Sequence, residues 1–418
     1  MRGRKPLLFL LPLVAVLLAL PAGRSSANGV RHGQFGAALD DLSFMQRKAF
    51  RDGKTAFETV EDAGDGLGPI FNAVSCVACH SSPVTGGAGP LVETRAAKFE
   101  NGQYIELPGG SLFQTNAIRP DCAETVPPDA NLHEGRQTTP LFGLGLVEAI
   151  PDGEIEAYAS RQARLHPEQA GRVNHVVDVP TGQLRVGRFG WKDQQATLLA
   201  FSGDAYVNEM GITSKFFPTE NAPNGDAATL ARCDAVKDPE DTEDDVTAFT
   251  NFMRFLAPPP RDDDDRDPDR FRDKDYDRDG HDFARDRDRD DDDSHGSDAQ
   301  GRRLFSKVGC AVCHHEAFHA VSSFEAINGK RVAAFSDFLL HDIGTGQGIV
   351  QGNARGTEFR TPPLWGLSQS GPYLHDGSAD SVEAAIQRHA NQAQAARDAF
   401  NALSFRQQQA LLSFLDSI

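Results

Sequence analysis

The first long apolar run spans residues 7–20. It follows the basic side chains Arg2, Arg4 and Lys5 and precedes the small residues Ser25-Ser26-Ala27. That order predicts an export signal over residues 1–27, with an apolar stretch too short to span a bilayer comfortably. No later segment reads as long and apolar enough to cross a membrane. Apolar positions recur instead at helical spacing. Val246, Phe249, Phe252, Met253 and Leu256 mark one amphipathic helix; Leu411, Leu412 and Leu415 mark another, opened by a capping box of Ser404 and Gln407. Helical turns are expected near residues 46–61, 381–390 and 395–402. Residues 173–186 read as a short hairpin with Thr181-Gly182 as its turn.

Two pentapeptides then change the picture: Cys76-Val77-Ala78-Cys79-His80 and Cys310-Ala311-Val312-Cys313-His314. Cys-x-x-Cys-His is the attachment signature of a c-type haem. Two thiols at this spacing form thioether bonds to the haem vinyl groups, and the following His becomes the proximal iron ligand. Half a zinc site or a redox dithiol would explain one copy. Two copies, each ending in His and behind an export signal, predict two covalent haems on Cys76, Cys79, Cys310 and Cys313, with His80 and His314 on the irons. Export with this chemistry places the mature chain in a periplasm. There the remaining cysteines, Cys122 and Cys233, are expected as a disulfide, with two free buried thiols as the alternative.

The chain of 418 residues carries a net charge of −18, half of it in residues 261–298, where 18 acidic face 9 basic side chains. That segment has too few apolar residues to offset its ordering entropy and reads as a disordered linker over 259–298. Within it Asp275-x-Asp277-x-Asp279-Gly280, with Asp286 in the twelfth position, imitates a calcium loop but lacks the final Glu and flanking helices. The acidic balance argues against nucleic acid as a partner and for a small basic redox protein as electron donor.

On either side of the linker the motifs recur in the same order. Phe71 and Phe305 each lie five residues before a first motif cysteine, and Gln137-Thr138-Thr139-Pro140-Leu141-Phe142-Gly143-Leu144 answers Arg360-Thr361-Pro362-Pro363-Leu364-Trp365-Gly366-Leu367. The expected fold is mainly α, with two tandem cytochrome c-like domains over 28–258 and 299–418. The first is expanded by loops and the small hairpin.

Several segments carry a resemblance: residues 66–72 with Ser75-Cys76, then 140–151, 187–213, 336–344 and 361–377. Together they resemble the di-haem oxidoreductase family of peroxidase-like proteins, some labelled thiol oxidoreductases. They are more distantly similar to bacterial di-haem cytochrome c peroxidases and to the enzyme that matures methylamine dehydrogenase. The likeness covers most of 36–256 and 299–418. It implies that the C-terminal haem receives electrons and the N-terminal haem reacts with peroxide. Following Tyr373-Leu374-His375-Asp376-Gly377, it implies His389 as sixth ligand of the second haem, where the peroxidases carry Met. Imidazole in place of thioether lowers the potential. The resemblance also implies Trp191 between the haems and Glu209 as the distal acid–base group.

The peroxidases block the first haem with a His after its motif, but no His lies between His80 and His133. That blocking ligand is therefore missing or is His133; Met210, beside Glu209, is a candidate sixth ligand, and Glu148 is a second candidate acid. The resulting expectation is a periplasmic haem enzyme that reduces peroxide. A non-enzymatic di-haem electron carrier and a di-haem oxidase of a protein or organic substrate stand as alternatives. The purified mature protein is expected to give a pyridine haemochrome with two haems per chain. A Cys76→Ala/Cys79→Ala variant should keep only one, and zinc in their place would refute the haem reading.

Overall fold

Eleven helices and several small sheets form the regular structure of this computed structural model, which describes residues 34–242, 244–261 and 295–418. The export segment, the calcium-like loop at 275–286 and most of the acidic linker lie outside the described residues. The helices are α1 (Phe44–Glu58), α2 (Cys76–Cys79), α3 (Leu144–Glu148), α4 (Asp152–Leu165), α5 (Leu198–Glu209) and α6 (Ala227–Cys233). They continue with α7 (Asp245–Phe255), α8 (His295–Lys307), α9 (Val382–Gln387), α10 (Gln394–Asn401) and α11 (Phe405–Ser417). Among the described residues no helix is long and apolar enough to cross a membrane.

Local chemistry explains the boundaries. Ser43 and Gln46 form a capping box at the start of α1, and Ser404 and Gln407 do the same for α11. The apolar stripe read over 246–256 is α7, with Val246, Phe249, Phe252 and Met253 buried. The expected hairpin is present: His175–Asp178 pairs antiparallel with Gln183–Val186.

In each half an early helix crosses a late one at a glycine. A Cβ at Gly53 of α1 would lie 2.2 Å from the Ala248 carbonyl oxygen of α7, and one at Gly301 of α8 would lie 2.2 Å from the Ala410 carbonyl oxygen of α11. Only a residue without a side chain lets the backbones come so close. Phe57 at the end of α1 packs on Phe252 (ring centroids 5.0 Å) and on His80 (6.1 Å). Phe305 of α8 packs on Phe414 (5.6 Å) and on His314 (6.3 Å). The spatial counterpart of Phe305 is therefore Phe57, not Phe71, which lies in the two-residue strand Ile70–Phe71. Seventeen residues, 59–75, separate α1 from the first motif. Equal spacing to the cysteines paired the wrong phenylalanines.

The expansion between residues 81 and 135 is a sheet. Strand Val92–Glu100 pairs antiparallel with Gln103–Ile105, Leu112–Phe113 and Leu132–Gln137. Its register sets Glu93 opposite Arg136 and Arg95 opposite Glu134. Opposite charges at such positions support each other across a sheet.

The larger apolar core joins α1, α3, α5 and α7. It also takes Phe318, Ala326, Ile327, Val332, Phe338, Leu339 and Trp365 from the second half. A smaller core gathers α8, α11, Phe335, Leu364 and Phe400. Cys122 and Cys233 form a disulfide with Cα atoms 6.1 Å apart and a sequence separation of 111. It fastens the sheet-bearing expansion to the end of α6. Replacing both cysteines with serine is expected to cost about 2–5 kcal/mol in urea denaturation, with the absorption spectrum of the folded protein unchanged.

Candidate functional site

Both Cys-x-x-Cys-His motifs open onto cavities. The first, of about 320 Å³, is lined by Cys76, Cys79, His80, Trp191, Glu209 and Met210 among others. The second, of about 190 Å³, is lined by Cys310, Cys313, His314, Trp191, His375 and His389 among others. Trp191 is the residue that the two linings share.

Backbone geometry positions the first motif. The Ser75 hydroxyl accepts from the Ala78 amide at 3.2 Å and caps the single turn α2. The His80 Nδ1–H donates to the Gly87 carbonyl at 3.1 Å. In the second motif the His314 Nδ1–H donates to the Phe335 carbonyl at 3.1 Å. Each bond fixes the tautomer and leaves the lone pair on Nε2. Burial pushes both imidazoles down to about 4, so they stay neutral. A neutral ring with one nitrogen tied to a carbonyl is the state that ligates a metal. The four motif thiols are not paired with each other. Burial pushes Cys79 and Cys310 up to about 12 and Cys76 higher still, so they too are neutral. Four unpaired thiols and two oriented imidazoles beside two cavities fit covalently attached haems.

The cavities differ in chemistry. The first carries Glu93, Arg95, Arg136, Asp204 and Glu209, whereas among the described residues no carboxylate lines the second. Glu209 ends α5, and its Oε2 accepts from Asn72 Nδ2 at 2.7 Å. The Asn72 and Ala73 amides also donate to the Glu209 carbonyl, at 2.8 and 3.3 Å. Burial, reinforced by Glu93 and opposed by the Asn72 bond, pushes the Glu209 carboxyl up to about 8. Burial raises Asp204, one turn earlier, to about 6. Arg95 pairs with Glu93 at 2.8 Å, and Arg136 with Glu134 at 2.9 Å. Sequence reasoning missed Asp204 and the charged sheet face. The signal was the i, i+2 spacing of Glu93 with Arg95 and of Glu134 with Arg136, which puts each pair on one face of a strand.

Met210 is buried in the same wall, directly after Glu209. Its carbonyl accepts from the Gly68 amide at 2.9 Å. Glu148 lines neither cavity. Its carboxylate accepts from the Leu198 amide at 2.8 Å and from Arg254 Nε at 3.0 Å, which fixes the start of α5. His133 is exposed on strand Leu132–Gln137 and also lines neither cavity.

Trp191 is held by its Nε1–H to the Gln137 carbonyl at 2.9 Å and by the Arg360 amide to its own carbonyl at 2.8 Å. Its ring meets Phe359 and His375 edge-on at 6.4 and 6.3 Å, and those two rings stack at 3.9 Å. The Lys192 ammonium sits 3.8 Å from the Phe359 ring centre, and burial lowers it to about 7. His341 is fixed by Asp337 at 2.9 Å and lies 3.6 Å from the Cys313 sulfur. Asp337 raises the His341 imidazole well above its usual range, against the effect of burial. Also in the second-cavity lining, the His389 Nδ1–H donates to the Ala385 carbonyl at 2.8 Å, and burial lowers its imidazole.

The family described as "Di-haem oxidoreductase, putative peroxidase" matches residues 124–255 and 288–418. The chain belongs to that family. Haem is thus the family's cofactor, and oxidoreduction its chemistry. The match includes Trp191, Glu209, Met210, His389 and the second motif. The chain is also similar to the methylamine utilization protein MauG of Methylorubrum extorquens, 33% identical over 105 residues. That stretch is 22% of this chain and 25% of the relative, so the chain spans about a quarter of that protein's length. Among solved structures, Kuenenia stuttgartiensis hydrazine synthase is 17% identical over the whole of both chains, with a TM-score of 0.41. A MauG-like protein associated with microbial copper homeostasis is 16% identical, over 66% of this chain and 88% of that one, with a TM-score of 0.30.

His389 offers the second cavity a neutral imidazole whose Nε2 carries the lone pair. His389→Ala is expected to convert one low-spin haem to high spin and to raise its midpoint potential. An unchanged low-spin signal in EPR would exclude His389 as its ligand.

Proposed function

We propose that this chain is an exported di-haem c-type peroxidase that takes electrons at its C-terminal haem and reduces peroxide at its N-terminal haem. The observation that carries the reading is the contrast between the cavities: a protonatable carboxyl, Glu209, stands in the wall of the first, and the second has a spare imidazole but no carboxylate. When bound, the two haems supply one-electron redox chemistry. Cys76, Cys79, Cys310 and Cys313 would anchor them, with His80 and His314 as proximal ligands and His389 as the sixth ligand of the second.

For the O–O bond of peroxide to break, one oxygen must lose a proton and the other must gain one. Glu209 is placed to carry that proton, and its position at about 8 lets it hold or release one near neutral pH. Asn72 orients the carboxyl and leaves it free of an ion pair. Trp191 borders both cavities, so its π system offers a polarizable link between them.

Two cytochrome c-like units, 28–258 and 299–418, joined by a linker over 259–298, are part of the proposal. The paired glycine crossings and the phenylalanine packed on each motif imidazole support that repeat. The Cys122–Cys233 disulfide fits an oxidising compartment, in keeping with a periplasmic location. The net charge of −18 favours a small basic redox protein as donor.

Met210 supports a second reading. Its thioether shares the wall with Glu209, and as an iron ligand it would make the chain an electron carrier. The two readings separate by mutation. Glu209→Gln should leave the haem spectra unchanged and lower peroxide turnover by roughly 10²–10⁴-fold. A base accepts a proton only when ionised, so wild-type kcat/KM for peroxide should rise as pH passes about 8, and the variant should lose that rise. If the half-reduced wild type does not react with peroxide and Met210→Ala creates the reaction, the electron-carrier reading holds.

A further inference from the structure

Three acids converge away from both cavities. Glu220, Asp238 and Glu240 each bring a carboxylate oxygen within 4.8 Å of the other two. Glu220 is only 8% exposed, and both its carboxylate oxygens are enclosed without a hydrogen-bond partner, as is Asp238 Oδ1. Glu240 Oε2 accepts from the Thr213 amide at 2.9 Å and from the Thr213 hydroxyl. The charges that act most strongly on Glu220 are themselves carboxylates, those of Glu240, Asp238 and Asp234. With burial they push it up to about 9. An enclosed carboxylate without a donor, as in Glu220, is costly, and two further carboxylates facing it add to the cost. Such a group calls for a positive charge at its centre.

We propose that Glu220, Asp238 and Glu240 bind one divalent cation of the calcium class. The donors are all oxygen, with no imidazole or thiolate, which suits a hard ion and not zinc. Carboxylates that can bind through one or two oxygens suit the six to eight oxygen ligands and loose geometry of calcium better than the strict octahedron of magnesium.

The site lies where it would stabilise the first cavity. The Asp241 amide donates to the Thr213 carbonyl at 3.0 Å, and the Asp241 carboxylate accepts from the Asp245 amide at 2.8 Å at the start of α7. Residues 238–241 thus tie α7 to the segment that leaves Glu209 and Met210. A cation there would fix that segment. The site is separate from residues 275–286 and does not depend on the peroxidase reading.

The test uses the full-length, haem-loaded protein freed of divalent ions with EGTA and titrated with calcium chloride. Heat of binding is read by calorimetry and Tm by circular dichroism. Wild type should show a saturable site. Calcium at about 100 times its Kd should raise Tm by about 3 °C. Glu220→Gln and Asp238→Asn should each lose that rise. In EGTA, Glu220→Gln should melt at or above wild type, because the cost of forcing a proton onto the enclosed acid on folding has gone; in calcium it should melt below. Calcium bound to the acidic linker survives in every variant and so cannot imitate this pattern. No calcium-dependent rise in wild type overturns the proposal. So does a rise that both variants keep in full, or a Glu220→Gln variant destabilised equally in EGTA and in calcium.

Discussion

Two backbone carbonyls, Gly87 and Phe335, hold the motif imidazoles of His80 and His314, and much else is arranged around those bonds. Each imidazole must be buried, neutral and turned with one nitrogen toward a hollow. Burial supplies neutrality, and the carbonyl supplies the turn. The hollow survives because the neighbouring elements are propped apart. Gly53 and Gly301 let the helices cross closely on one side, and Phe57 and Phe305 fill the space beside each ring. Without these supports a space of that size would collapse, since protein interiors pack as densely as organic crystals.

The halves then diverge in polarity. The first cavity borrows a wall from the sheet, where Glu93, Arg95 and Arg136 stand in cross-strand register. Burial, reinforced by Glu93 of that wall and opposed by Arg95, keeps the Glu209 carboxyl protonatable near neutral pH. The second cavity is walled by Phe305, Phe359, Pro362, Leu364, Ile386 and Leu415. The same repeated motif therefore sits beside two cavities of different polarity, one lined by several acids and the other mostly by apolar side chains with imidazoles and two arginines.

Much of this was legible in the sequence because its signals are local. Cys-x-x-Cys-His fixes spacing within five residues, and the capping box at Ser404 and the stripe on α7 need only one or two turns. Trp191, Glu209 and His389 were reached through resemblance and Met210 through its place beside Glu209, and each lines a cavity. The sheet was not legible. In Val92–Glu100 three consecutive residues, Arg95, Ala96 and Ala97, are buried, so the alternation that betrays a half-exposed strand is broken. Helix α5 hid for a related reason: its apolar side chains run all around it, with Gly203 in the middle, so it has no stripe to detect. The mispairing of Phe71 with Phe305 came from counting along the chain where packing was decided by Phe57, a full insertion away.

The larger apolar core draws on residues 318–339 and on Trp365, synthesised long after the elements they cover. The earliest of them, Phe318, follows His80 by 238 positions. The first half therefore leaves the ribosome with that core incomplete, and its helices reach their final packing only when the C-terminal residues arrive.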